Sequence, residues 1–252
     1  YMAVVCKTLN LVYFDVPKVA CTTLKTWFWE VENGRPFPKP TLPARILRLL
    51  KGGGPPLYRS IHSVPGYTTK SHARIRAEAG DNLEAFAGIE TLAVVRDPVA
   101  RLFSAWSNKA GAAIFAARGE TEDLRNMLLD TDPDFGTFID NLDAYRSVSR
   151  PVRAHTQSYE WHLGPRLDAY DHIFEMEQMP ALDAFLTARR GRPADLGQRN
   201  ASGGMARPPG TLSPAQVDRL GEITAPDYAW LGGRYCVDTA LKKLAQRFDR
   251  VA

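Results

Sequence analysis

Apolar and β-branched residues gather in short runs along the chain, separated by stretches of helical spacing. The first run, residues 10–16 (NLVYFDV), is continuous instead of alternating. That pattern predicts a strand covered on both faces, as in a parallel sheet. Pro17, which has no N–H to extend a ladder, ends it. Beyond Thr22 and Thr23 the stretch LKTWFWEVE predicts a helix running to Asn33 and Gly34. A second run at residues 89–95 (IETLAVV) predicts another buried strand, and a third strand is expected at 172–176. After the second run, Asp97 suits a helix cap and Pro98 the first helical position. Leu102, Phe103, Ala105 and Trp106 give that helix its apolar stripe.

Further helices are expected at 73–86, 120–129 and 135–145, after Ser213-Pro214, and along the amphipathic tail 237–251. Residues 34–65 are rich in Pro and Gly, with GGGPP at 52–56 and a short basic helix, ARILRLLK, within them. This reads as a surface excursion that shapes a binding cleft. No internal repeat and no linker divides the chain. Strands separated by helices predict one α/β domain over residues 1–252 with a parallel sheet.

Composition narrows the classes without choosing among them. The 252 residues are 44% hydrophobic and 24% charged, which excludes a collagen-like or mostly disordered chain. No apolar run reaches the ~18 residues of a membrane span. Cys6, Cys21 and Cys236 are too far apart for a disulfide framework and form no CxxC pair. His155, His162 and His172 lack metal-ligand spacing, so no metal is expected. No basic region precedes an apolar core at the start, so a cytoplasmic, reducing setting is expected. The 32 Lys+Arg against 28 Asp+Glu leave +4, enough for an anionic small molecule. No basic–aromatic module or finger motif points to nucleic acid.

Chemistry concentrates at two strand ends. In VYFDVPKVACTTLK, Lys18, Thr22 and Thr23 stand between a buried strand and a helix N-terminus. First-turn N–H groups and the helix dipole favour an anion there, and Lys18 adds an ammonium. The GxxxxGK[ST] signature is absent, so phosphate binding is supported and ATP hydrolysis or nucleotide-kinase chemistry is not. A capped helix with a surface lysine is the alternative. In AVVRDPVARLFSAW, Arg96 ends a strand where open α/β sheets bind ligands. Ser104, eight residues on, lies a little over two turns along the helix. The pair can hold a second phosphate; Arg96 can equally brace a carboxylate.

The stretch Pro17-Lys18-Val19-Ala20-Cys21-Thr22-Thr23-Leu24-Lys25 resembles the 5′-phosphosulfate loop of sulfotransferases. Arg96-Asp97-Pro98-Val99-Ala100-Arg101-Leu102-Phe103-Ser104-Ala105 resembles their 3′-phosphate segment. The cysteine in the first loop is closest to the carbohydrate sulfotransferases of Golgi type and their bacterial relatives. Residues 170–177 (YDHIFEME) are similar to the family's late core strand, and Arg199-Asn200-Ala201-Ser202 to the loop that follows. The resemblance implies a P-loop-like three-layer fold, a central, mostly parallel sheet flanked by helices. It implies the donor 3′-phosphoadenosine 5′-phosphosulfate (PAPS), the product PAP, and an acceptor hydroxyl, with carbohydrate the natural guess. Residues 17–24 would hold the 5′ side, with Lys18 neutralising charge on the leaving phosphate. Arg96 and Ser104 would hold the 3′-phosphate, and Asn200 and Ser202 would add donor contacts. No metal enters this scheme.

For the acceptor's proton the choice is His62, with His72, Glu30 and Glu32 as alternatives and a loop or core histidine as the plainer role. Cys21 reads as a packing residue, and Trp27 and Trp29 as core, one of them able to line an acceptor pocket. Gln157, Trp161 and His162 are candidates for the acceptor border. Arg189, Arg190 and Arg192 read as a solvated loop, or with Arg199 and Arg207 as an anion clamp. A non-catalytic nucleotide-binding module of the same fold is the competing function.

Overall fold

A strand with every residue buried sits at the centre of the sheet, as a continuous apolar run requires. The computed structural model describes residues 3–38, 61, 88–197 and 210–249. Its first elements are β1 (Ala3–Cys6), β2 (Leu11–Phe14), α1 (Cys21–Asn33) and β3 (Glu90–Val95). Helices α2 (Pro98–Lys109), α3 (Ala112–Ala116), α4 (Thr121–Asn126), α5 (Phe135–Asp140) and α6 (Leu142–Val148) follow. Next come α7 (Arg150–Thr156), α8 (Tyr159–Leu163), β4 (His172–Glu175) and α9 (Met179–Arg190). The last are α10 (Pro214–Trp230) and α11 (Val237–Asp249). The fold is α/β, as expected. No described helix is long and apolar enough to cross a membrane. The helices expected at 44–51 and 73–86 lie outside the described residues.

The chain groups into two compact units. One comprises Tyr1–Asp15, Ala20–Val94 and Tyr170–Ala201; the other comprises Val16–Val19, Val95–Ala169 and Ser202–Ala252.

The first unit carries the sheet, in the order β1-β2-β3-β4. β2 runs parallel to β3, Leu11 opposite Glu90 and Phe14 opposite Ala93. β1 pairs antiparallel with β2, from Ala3 opposite Phe14 to Cys6 opposite Leu11. Residues 3–6 gave no separate expectation, because four residues are too few for periodicity to register. Asn10, at φ 50, makes the return turn, and its side chain donates to Gly88 O at 3.0 Å. Asp171 accepts from the Thr91 N–H and hydroxyl, both at 2.8 Å, which fastens the approach to β4. α1 begins at Cys21, earlier than the sequence suggests, and Gly34 in the left-handed region stops it. It buries Trp27, Phe28 and Trp29. Trp27 donates to Ala194 O at 2.7 Å, and Trp29 packs edge-on against Phe37, so both tryptophans belong to the core.

Helix α9 corrects the expectation of a solvated arginine loop for Arg189 and Arg190, while Arg192 lies exposed beyond its end, as expected. Leu182 and Leu186, one turn apart, are its buried face, Pro180 lies in its first turn, and Gly191 caps its end. Arg189 and Arg190 form its last turn, where basic side chains complement the helix dipole. Arg189 and His172 both meet the Glu90 carboxylate, holding it down at about 2. The Arg190 guanidinium lies over the Trp27 ring, 5.6 Å from its centroid.

The second unit is helical around an aromatic core. Phe103 meets Phe135 edge-on at 5.3 Å, and Phe138 packs against Tyr145 at 5.5 Å. Trp106 is fully buried and donates to Pro133 O at 2.9 Å, so its one polar atom is satisfied. The single helix expected over 135–145 is two helices meeting at Asn141. That side chain donates to Thr137 O at 3.0 Å, a local bond that competes with a continuing helix. Helices α3, α7 and α8, of five to seven residues, were not anticipated.

Asp97 caps α2 as expected, accepting from Ala100 N at 2.9 Å with Pro98 in the first turn. Its other oxygen accepts from the Tyr228 hydroxyl at 2.9 Å. Asp97→Ala removes both bonds and is expected to cost about 1–3 kcal/mol, read as a lower urea midpoint.

Candidate functional site

The loop after β2 is built by opposed demands on neighbouring residues. Pro17 and Val19 are buried, while Lys18 between them is half-exposed. The backbone turns left-handed at Lys18, φ 72, and again at Ala20, φ 58. Such angles cost a non-glycine residue roughly 1–2 kcal/mol each, so surrounding packing must enforce them. In the first unit, Ala20 occupies the cap position of α1, where it offers no side-chain oxygen to the first turn. Cys21 and Thr22 are half-buried there, whereas Thr23 and Leu24 are buried. Thr22 is thus the more open of the two hydroxyls. Lys25 is buried against Asp15 in an ion pair.

In the second unit, Arg96 follows β3 and its Nη1 donates to the Lys18 carbonyl at 3.2 Å. A guanidinium from one sequence motif therefore ties down the main chain of the other. That bond to a backbone carbonyl is one that neither sequence reading of Arg96 anticipated. Arg96 is also held by its own backbone. Its N–H donates to the Tyr159 hydroxyl at 2.8 Å, and that hydroxyl donates to Arg96 O at 2.7 Å. Ser104 sits two turns into α2, half-buried.

His155, on α7, adds a titrating group to the same unit. Its Nδ1 donates to Pro151 O at 2.7 Å, which places the neutral ring's proton on that nitrogen. Burial pushes its pKa down to about 4, helped by the charges of Lys109, Lys18 and Arg118. Lys18 is thus close enough for its charge to bear on this imidazole. In the unfolded chain the group titrates near 6.5, so between pH 6.5 and 4 the unfolded state binds more protons. Stability should fall as pH drops through that window, by at most about 3 kcal/mol from this group. Urea unfolding of the wild type and His155→Gln across pH 4–7 checks it: the variant should lose less on acidification.

Other candidates fall into place separately. Glu30 accepts from Phe37 N at 3.0 Å, and Glu32 accepts from Thr8 N and Oγ1 at 3.2 and 3.0 Å. Both carboxylates thus fasten chain turns. Gln157 gives its carbonyl to Arg101 at 2.6 Å, His162 is fully buried, and Trp161 is exposed. His62, His72, Arg199, Asn200, Ser202 and Arg207 lie outside the described residues. Among the described residues no three His, Cys, Asp or Glu side chains gather as a metal would require. Tyr159, Arg101 and Asp227 are what sequence reasoning missed. Tyr159 stands in an aromatic-rich segment, but nothing local says that its hydroxyl reaches Arg96.

The family described as "Sulfotransferase family" matches residues 1–196, most of the chain and both motif segments. The protein belongs to the sulfotransferase family. No curated protein and no solved structure matches the chain. Membership accounts for the α/β fold and for a sulfotransferase's transfer chemistry, and likeness to the Golgi-type carbohydrate enzymes is consistent with it. This sulfotransferase presents Lys18 and Arg96 in one unit, joined through the loop backbone.

Proposed function

We propose that this sulfotransferase uses PAPS as donor and a carbohydrate hydroxyl as acceptor, releasing PAP. The bond from sulfur to the 5′-phosphate oxygen breaks as the acceptor oxygen bonds to sulfur, and the acceptor proton passes to a base. Sulfuryl transfer, like phosphoryl transfer, moves a highly charged group in line, so positioning and charge stabilisation supply most of the catalysis. Lys18 neutralises the charge that grows on the leaving phosphate. The loop amides and Thr22 hold the 5′ side, with Thr23 beside it. Arg96 and Ser104 take the 3′-phosphate, and His62 is the proposed base.

The observation that most supports this reading is the Arg96–Lys18 tie. It joins, through one bond, the two segments that resemble the two phosphate sites of the donor. Calorimetric titration of PAP tests it. Arg96→Ala and Lys18→Ala should each weaken PAP binding by roughly 10- to 100-fold, the worth of a charge-assisted contact. Unchanged affinity in both variants rejects the assignment. An acceptor screen with labelled PAPS, read by mass spectrometry for an added sulfonate, tests the acceptor class.

A further inference from the structure

Arg96 has an unusual anchor. Tyr159 Oη accepts from the Arg96 N–H at 2.8 Å and donates to the Arg96 carbonyl at 2.7 Å. One hydroxyl therefore fixes the peptide groups on both sides of a single Cα, and with them the direction in which its side chain leaves the backbone. A guanidinium is useful against a phosphate only when its planar fork is aimed, so the setting of that Cα matters more here than for a lysine.

The hydroxyl is itself held on several sides. Burial keeps the phenol far above its ordinary pKa, so at neutral pH it remains a donor as well as an acceptor. The ring stacks on Trp230, with centroids 5.6 Å apart and planes 10° from parallel. The Arg101 guanidinium lies 4.7 Å from the ring centroid. Asp227 accepts from Tyr159 N at 2.7 Å and from Arg101 Nη2 at 2.9 Å, and Arg101 Nη2 also reaches Gln157 O. Trp230 Nε1 donates to Gly164 O at 2.8 Å, closing the far end of α8 against α10. Asp227 and Trp230 are three residues apart, on one face of α10. So α10 holds both ends of the short helix α8, and the first residue of α8 holds Arg96.

We propose that Tyr159 is a positioning residue for recognition of the donor's 3′-phosphate, acting through the backbone of Arg96; this rests on the reading that Arg96 takes that phosphate. The Asp227–Arg101 pair and Trp230 hold Tyr159 in turn. A residue that only filled the core would weaken every ligand alike when altered. A residue that aims Arg96 acts on the one phosphate that PAP has and AMP lacks.

The test is the ratio of affinities for PAP and AMP, measured calorimetrically on the full chain. Four proteins are compared: wild type, Arg96→Ala, Tyr159→Phe and Phe138→Leu. Tyr159→Phe keeps the ring and removes the hydroxyl. Phe138→Leu loosens the buried core of the same unit without touching Arg96. The expected result is an about 10-fold fall in the preference for PAP in Tyr159→Phe, with AMP binding unchanged and Phe138→Leu like wild type. If Arg96→Ala keeps the full preference, the donor-site reading of Arg96 is wrong and the inference falls with it. If Arg96→Ala loses the preference but Tyr159→Phe keeps it, that reading stands and the positioning role is overturned. Equal loss for both ligands in Tyr159→Phe, matched by Phe138→Leu, overturns it as well.

Discussion

Lys18→Ala should lower the rate of sulfuryl transfer by roughly 10²- to 10³-fold, the usual cost of removing one preorganised group that meets developing charge. The loss should appear mainly in kcat. The Lys18 contact to Arg96 is made by its carbonyl, and alanine has the same carbonyl. The left-handed angle at position 18 is open to alanine at a cost no greater than lysine already bears. The loop should therefore keep its course while the ammonium disappears. Lys18→Arg, which keeps a positive charge but spreads it over a plane, should recover part of the rate. Turnover is measured with whichever hydroxyl compound gains a sulfonate in the acceptor screen. Full turnover in Lys18→Ala would remove the lysine from the mechanism.

The second large effect concerns a lysine with a different task. Lys25→Met should destabilise the fold by about 3–5 kcal/mol, because it leaves Asp15 buried without its counter-charge. Both side chains are nearly inaccessible, at 3% and 6%, so water cannot take the lysine's place. Lys25→Met combined with Asp15→Leu should recover most of the loss, since the apolar pair escapes the desolvation cost of the charges. Urea denaturation gives both numbers. A loss below about 1 kcal/mol in the single variant would show that Asp15 does not depend on Lys25 for its burial. Lys18 and Lys25 stand seven residues apart in the same motif, and burial separates their roles.

The parts of the fold legible in the sequence are those written in local patterns. β2 is a continuous apolar run and β3 ends in one, Leu92 to Val95, and both are buried almost throughout. Asp97 and Pro98 mark the start of α2 because capping is decided within four residues. Helix α10 opens likewise, at Ser213, whose side chain accepts from Gln216 N. The misses have physical causes. Helices α3, α7 and α8 are shorter than two full turns, too short to display a periodic stripe. Helix α9 did carry readable signals, in Pro180, the Leu182–Leu186 spacing and Gly191, which the nearby arginines obscured.

The candidate site divides in the same way. Lys18, Thr22 and Arg96 are legible because each stands at a strand end or a helix start. The bond from Arg96 to Lys18 is not, because 78 residues separate them and no pattern near either names the other. Tyr159 is 63 residues from Arg96 and is legible only as a buried aromatic. Its role comes from where the tertiary fold puts one oxygen.

The tie between Arg96 and the loop ends on a main-chain oxygen, and that has a consequence for how the site can change. Every amino acid supplies such an oxygen, so any residue that tolerates the left-handed angle at position 18 preserves the tie. The loop's shape and its reagent are thus specified by different atoms. In a double-mutant cycle on folding stability, replacing the side chains of 18 and 96 should give a coupling close to zero. A lineage could exchange the chemistry at 18 in one step, without a compensating change at 96.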